Sequence, residues 1–304
     1  MTLYEYLISP SKVNRVNGLL HYICLLVTLF YKRKLYEKIH FIWNILLFIE
    51  LPFFLLFKDK LVFTYHNDVP HSYPRRRYLP YWLIMKMARK IVFVSNYTQR
   101  RFINNYGKHK SNYLLQHGVM PIGDLETIVS KKLPVVEKNI IFWGKVEEYK
   151  GVDIFNHYDL KRPIEIYGKW SLKLFSLKQQ LNKLHDIHIF DNYLSTDELA
   201  KLMNRKAVFI LPYKNATQSG VLYTLLAYGK VFISSNVGEN SGFLINHGLE
   251  KLIFDRKDED SILSAIDYAL NNYEDIQTKM LVIKDEYKWS RVLRSEIIND
   301  LYDD

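Results

Sequence analysis

The sequence predicts an α/β protein of two domains with parallel sheets, and three observations carry that reading. Short apolar runs rich in Val, Ile, Phe and Tyr alternate with helical segments through most of the chain, the pattern of βα units whose strands are buried on both faces. The 304 residues exceed what a single hydrophobic core usually serves. The balance of charge changes sign part-way along, at a segment that reads as a crossing between domains.

The runs that read as strands are residues 61–65, 91–94, 112–115, 139–143, 164–167, 187–190, 207–211 and 231–234. The crossing falls at 127–138, which places the first domain at 1–134 and the second at 135–304. Through Pro134 the chain holds 20 Lys and Arg against 7 Asp and Glu, and from Val135 onward 22 against 25. All the excess positive charge therefore lies in the first domain, which points to an anionic partner there: a membrane surface, a lipid phosphate or a nucleic acid.

A composition of 48% hydrophobic and 24% charged residues excludes a disordered, collagen-like or low-complexity protein. Cys24 is the only cysteine and sits in an apolar run, which rules out a disulfide framework and a cysteine metal site and fits a reducing compartment. The first residues lack the basic region, apolar stretch and small-residue cleavage site of a secretory signal, so the expected location is the cytoplasm.

Residues 41–57 form the most hydrophobic segment, but this run of 17 residues contains Asn44, Glu50 and Pro52. That length is at the lower limit for a spanning helix, and the polar residues count against one, so a buried strand and helix is the expected form. Residues 19–30 read as a core helix. Residues 74–90 place Arg75, Arg76 and Arg77 before a segment mixing Tyr78, Tyr81 and Trp82 with Lys86, Arg89 and Lys90, the composition of an interfacial helix. An amphipathic helix packed on the sheet reads equally well from the same residues.

Chemistry concentrates in two segments of the second domain. Residues 140–151 read as a buried strand, a turn at Gly144 and a loop carrying Lys145 and Lys150. Two cations at the carboxyl end of a strand can neutralise a diphosphate, and Gly144 lets the backbone approach it. Residues 211–230 read as a strand end at Pro212, a polar loop through Thr217, Gln218, Ser219 and Gly220, and an apolar helix from Val221 to Tyr228 stopped by Gly229. Unpaired amides at that helix start make an anion site.

These two segments, in this order, resemble the donor domain of GT-B glycosyltransferases, especially the bacterial family-four type (glycosyl transferases group 1). The usual pattern is Phe-x-Gly-Arg-x-x-x-x-Lys-Gly and later Ala-x-Gly-x-Pro-Val. The chain has Phe142, Gly144, Lys145 at the Arg position, Lys150 and Gly151 in the first, and Ala227 and Gly229 in the second, where Val231 and Phe232 stand at the Pro and Val positions. The likeness runs on through residues 194–203, Gly248, Asp258 and Trp289, and more faintly through 64–71, 94–98 and 116–119 of the first domain.

The resemblance implies two Rossmann-like domains facing across a cleft, with a final helix near Trp289 able to cross back to the first. It implies a nucleoside-diphosphate sugar donor, UDP- or GDP-linked, held by Gly144, Lys145, Lys150, Tyr193, Thr217, Gln218, Ser219, Gly220, Val221 and Thr224, with no further cofactor. The basic domain would hold a glycan or lipid-diphosphate-linked acceptor, as in bacterial polysaccharide or glycolipid assembly, peripheral at the inner face of the membrane. Many family members carry a Glu, seven residues and a second Glu across the loop and helix. Here those positions hold Ala216 and Thr224, so retaining and inverting routes both stay open. In an inverting route Asp68 is the expected base, with His66 on the donor sugar or a phosphate and His71 beside them.

No His, Asp and Glu cluster has metal-ligand spacing, so no metal is expected, and Lys145, Lys150 and the helix amides would stabilise the departing diphosphate instead. A nucleic-acid partner is not expected. The missing Glu pair keeps a non-catalytic nucleotide-sugar-binding subunit as one alternative, and a nucleotide-sugar epimerase of similar architecture is another.

Overall fold

A computed structural model describes residues 15–42, 47–66, 78–121 and 135–302. The chain divides into two compact units, one of Met1–Phe93, Arg101–Leu114 and Asn299–Asp304, the other of Val94–Arg100 and Leu115–Ile298. Asp68 and His71 lie outside the described residues.

The first unit runs α1 (Arg15–Lys32), β1 (Ile39–Phe41), α2 (Leu47–Phe57), β2 (Leu61–Tyr65), α3 (Tyr78–Met87), β3 (Lys90–Phe93), α4 (Asn96–Tyr106) and β4 (Asn112–Leu114), the start of α4 being counted with the second unit. Its strands form a parallel sheet in the order β1-β2-β3-β4. Aromatic rings fill the space beside it edge to face: Phe41 on Phe54 at 4.7 Å, Tyr65 on Phe102 at 5.3 Å and Phe93 on Phe102 at 4.9 Å. Such pairs add directional attraction to the area they bury. The segment at 41–57 is thus the end of a strand followed by a helix, and among the described residues no helix is long and apolar enough to cross a membrane. The helix expected in the core at 19–30 is buried on one face only. Tyr22 and Leu26 are inside, while Leu19, Leu20 and Val27 are exposed.

The second unit runs β5 (Ile140–Trp143), α5 (Ile154–His157), β6 (Ile164–Tyr167), α6 (Phe175–Leu181), β7 (Ile187–Phe190), α7 (Thr196–Asn204), β8 (Val208–Leu211), α8 (Gly220–Ala227), β9 (Phe232–Ser235), α9 (Gly238–Asn246), β10 (Ile253–Phe254), α10 (Glu259–Asn271), α11 (Tyr273–Glu286) and α12 (Trp289–Val292). A last helix, α13 (Ser295–Tyr302), ends among residues counted with the first unit. The six strands are parallel in the order β10-β9-β8-β5-β6-β7. Strand order therefore reverses between β5 and β8, and a doubly wound sheet opens a crevice at the carboxyl ends of the strands flanking such a point. All four residues of β8 are buried, as are the first three of β5, which is why both read as unbroken apolar runs. Ser195 closes a capping box with Glu198 at the start of α7, the local cause of the polar turn before residues 196–204.

One buried acid stands out in this unit. Gly238 takes a φ of +53°, and a Cβ there would come within 1.7 Å of the Ala216 carbonyl oxygen. The next residue, Glu239, donates its N–H to that carbonyl at 2.9 Å and is only 6% exposed. Burial pushes its carboxyl up to about 7, against the opposing pull of Ser95, the Tyr97 N–H, Tyr223 and the charge of Arg100. The folded value is above the unfolded one, so the folded state holds the extra proton. The stability that follows is complete below about pH 4.5 and is lost as pH rises through about 7. Glu239→Gln should remove that loss. Melting followed against pH should find the variant more stable than wild type by about 3 kcal/mol at pH 8, with the gap closing toward about pH 4.5; a gap that does not change with pH would contradict this.

Candidate active site

The crevice between β5 and β8 is built by two loops pressed together. After β5 the backbone turns at Gly144, φ +131°, whose N–H donates to the Tyr167 carbonyl at 3.0 Å. A 3₁₀ turn over Glu148–Lys150 follows, closed by Gly151 at φ +73°. A Cβ on Gly151 would come within 1.9 Å of the Pro212 carbonyl oxygen, so the first loop rests directly on the end of β8. Lys214 donates its N–H to the Tyr149 carbonyl at 2.7 Å. Behind the turn, Asp153 pairs with Arg256 at 3.2 Å and Lys214 at 3.1 Å, and Arg256 also donates to the Gly151 carbonyl at 3.3 Å. Backbone contact and charge together fix the turn that carries Lys150.

Lys150 is 8% exposed. Its Nζ donates to the Tyr213 hydroxyl at 3.1 Å and sits 5.0 Å from the centre of the Tyr213 ring, with the Tyr149 ring at 6.0 Å. Among the described residues no carboxylate forms an ion pair with it. A Cβ at Gly144 would stand 3.1 Å from this Nζ and 3.1 Å from Val221 Cγ2, so the ammonium lies between the end of β5 and the first turn of α8. Ser219 is the N-cap of α8: its Oγ accepts from the Leu222 N–H at 3.3 Å and donates to the Tyr213 hydroxyl at 3.4 Å. The N–H groups of Gly220 and Val221, the first two of the helix, have no acceptor within it. What this corner offers a ligand is donors and positive charge, the requirement for binding a phosphate.

The structure thus brings Gly144, Lys150, Ser219, Gly220 and Val221 together. Thr217 is buried, its carbonyl accepting from Ser95 Oγ at 3.4 Å, and Gln218 is half-buried. Thr224 is buried and donates its hydroxyl to the Gly220 carbonyl at 3.0 Å, which leaves the oxygen as an acceptor. Lys145 points elsewhere, more than half exposed and paired with Glu147 at 2.5 Å. Tyr193 is 70% exposed. His66, half-buried at the end of β2, belongs to the first unit. There it neighbours His40, which burial and the charge of His66 push down to about 4. Ala216 is buried and supplies a methyl group.

Three residues that sequence reasoning missed complete the corner: Tyr213, Asp153 and Arg256. Tyr213 follows the strand-ending Pro212 in a loop read for its glycine and hydroxyl residues. Arg256 is more than 100 residues from the turn it holds, and no local pattern announces such a partner. His117, at the edge of this unit, stacks on Tyr223 with ring centres 4.8 Å apart and donates from Nδ1 to the Gly118 carbonyl at 2.6 Å. Its neighbour Gly118 is pressed against the Trp289 ring, 2.5 Å from where a Cβ would stand. Among the described residues no three His, Cys, Asp or Glu side chains gather to hold a metal ion.

Residues 137–272 match the family model described as glycosyl transferases group 1. No curated protein matches the chain. Among solved structures, sucrose-phosphate synthase from Thermosynechococcus elongatus aligns over 97% of this chain and 80% of its own at 15% identity, with a TM-score of 0.68. HepE from Anabaena, solved in complex with UDP-glucose, aligns over 91% and 81% at 13% identity, with a TM-score of 0.71. A glycosyltransferase from Rickettsia africae aligns over 99% and 86% at 16% identity, with a TM-score of 0.61. The two units of parallel sheet and helix thus share the GT-B fold of these proteins along nearly the whole sequence, and within it residues 137–272 are similar to glycosyl transferases group 1.

Proposed function

We propose that the protein transfers a sugar from a nucleoside-diphosphate sugar, and that the corner around Lys150 holds the diphosphate. The observation that carries this is a buried lysine with no carboxylate partner among the described residues, set beside the start of α8. Desolvating an ammonium costs several kcal/mol unless a counter-charge compensates. A ligand phosphate between Lys150 and the Gly220 and Val221 amides supplies that charge. The crystallised relative with UDP-glucose and the family match support the same donor class.

In the transfer, the acceptor hydroxyl forms a bond to the anomeric carbon as the bond from that carbon to the diphosphate oxygen breaks. Negative charge grows on the leaving diphosphate, where Lys150 and the helix amides favour the transition state over the ground state. The proton of the acceptor hydroxyl passes to a base, and since Ala216 and Thr224 supply no carboxylate we assign that task to Asp68. No metal is required in this scheme, because the leaving group meets one fixed cation and the amides at the start of α8.

A screen of thermal shifts with UDP, GDP, ADP and TDP tests the donor. One of them should raise the melting temperature, as a ligand of the native state must. Lys150→Met should weaken that ligand about 10- to 100-fold, the loss of one charge-assisted contact, while leaving the unliganded melt intact. No shift with any of the four, or an unchanged affinity in the variant, refutes the assignment.

We infer further that the first unit meets an anionic membrane, where lipid-diphosphate-linked glycans of bacterial polysaccharide or glycolipid assembly would be presented. The helices α1 and α2 pack on one another and leave Leu19, Leu20, Val27, Leu55 and Leu56 exposed. The same unit carries the excess of Lys and Arg, and apolar side chains flanked by cations suit an anionic lipid interface. Co-sedimentation should show binding to vesicles containing phosphatidylglycerol and none to pure phosphatidylcholine. The Leu55→Asp/Leu56→Asp variant should lose most of that binding, and so should salt at about 1 M, where screening acts within ~3 Å. Equal binding to both vesicle types would refute the electrostatic part.

A further inference from the structure

We propose that the Tyr213 hydroxyl is a catalytic residue of this site, donating a hydrogen bond to a phosphate oxygen of the bound diphosphate; the inference rests on the donor assignment made above. The argument is a count of protons and lone pairs. A phenolic oxygen has one proton to give and accepts through its lone pairs. In this structure it accepts twice, from Lys150 Nζ at 3.1 Å and from Ser219 Oγ at 3.4 Å. Lysine can only donate, so the first of these bonds has a fixed direction. Reversing the second would merely move the surplus proton from Tyr213 to Ser219, because the pair holds two hydroxyl protons and spends one between them. Ser219 Oγ already accepts from the Leu222 N–H. One O–H at this corner is therefore left without an acceptor among the described residues.

Leaving a buried hydroxyl proton unspent is costly, and Tyr213 is 1% exposed. The oxygen is also tightly placed. Ser235 Oγ donates to the Tyr213 carbonyl at 2.6 Å, the ring lies edge-on to Tyr149 at 6.1 Å, and the Lys150 ammonium sits over the ring. The surplus proton shares its surroundings with two further N–H groups of Lys150 and with the Gly220 and Val221 amides. Every unspent valence named here is a donor, so the matching ligand is one rich in lone pairs and negative charge. As the bond from the anomeric carbon to the diphosphate breaks, the electron pair stays on the diphosphate oxygens, and the Tyr213 bond strengthens with that charge while its proton remains on tyrosine.

The test is UDP binding by calorimetry to wild type, Tyr213→Phe, Lys150→Met and the double variant, with uridine as the control lacking phosphate. Phenylalanine keeps the ring, so unliganded melting should change little. Tyr213→Phe should weaken UDP about tenfold, leave uridine unchanged, and lower kcat with whichever donor proves active. The decisive comparison is on the Lys150→Met background, where Tyr213→Phe should again cost about tenfold. If its effect vanishes there, Tyr213 acts only by holding Lys150, and the inference is overturned while the donor assignment stands. If wild type binds UDP and Tyr213→Phe binds it equally well, the inference falls alone. If wild type binds no nucleoside diphosphate, both fall. Should Tyr213→Phe fail to fold, a ring-fluorinated tyrosine at 213 keeps the shape and strengthens the donor. Tighter UDP binding than wild type supports the inference, and equal or weaker binding overturns it.

Discussion

The contact on which the candidate site depends is between two backbones: Gly151 lies so close to the Pro212 carbonyl that no side chain fits between them. It joins the loop after β5 to the end of β8 at the point where the strand order reverses. Without it, Lys150 would be one more solvated lysine on a turn. With it, the ammonium is placed under the first turn of α8 and against Tyr213 and Tyr149. The Asp153–Arg256–Lys214 cluster strengthens the same junction from behind, in a part-buried setting where charge pairs are less screened than at the surface.

Such a corner is poorly satisfied by the protein alone. A hydroxyl and two ring faces replace only part of the water an ammonium loses, and the amides at the start of α8 add further positive potential of the same sign. Energy stored in this way favours an anionic ligand, since binding removes the protein's own dissatisfaction. Preorganised donors also need no rearrangement when charge shifts onto the leaving group, which is the general basis of electrostatic catalysis. The first unit is organised differently, with a ring-filled core beside the sheet and exposed apolar side chains on the helices around it.

Much of this was legible in the sequence because the physical cause was local. All eight expected strands are present to within a residue or so at either end, since a fully buried parallel strand must be an unbroken apolar run. The turn glycine at 144 declared itself for the same reason: with a φ of +131° it answers a requirement of its own backbone. The strands β1 and β10 are three and two residues long, too short to carry a period. Burial of Glu239 depends on Ala216, Ser95 and Tyr97, and no window of sequence contains all of them. The ion pair of Lys145 was not legible either: a lysine after a turn glycine reads as a phosphate ligand, and in the structure its ammonium meets Glu147, two residues on. Tyr213 was passed over because an aromatic in a loop carries no pattern, and its role arises only from the two hydroxyl and ammonium partners that folding brings to it.

The Gly118 backbone and the His117 ring press against Trp289, and His117 in turn stacks on Tyr223 of α8. Burial keeps that imidazole below its usual range of protonation, so near neutral pH it is the uncharged ring, a weaker quencher than its cation, that faces the indole. An indole 43% exposed and coupled through one stacked ring to the helix that begins at the anion corner is a native optical probe. Its emission would register a displacement of α8 without any label, and would do so from a position outside the chemistry it reports.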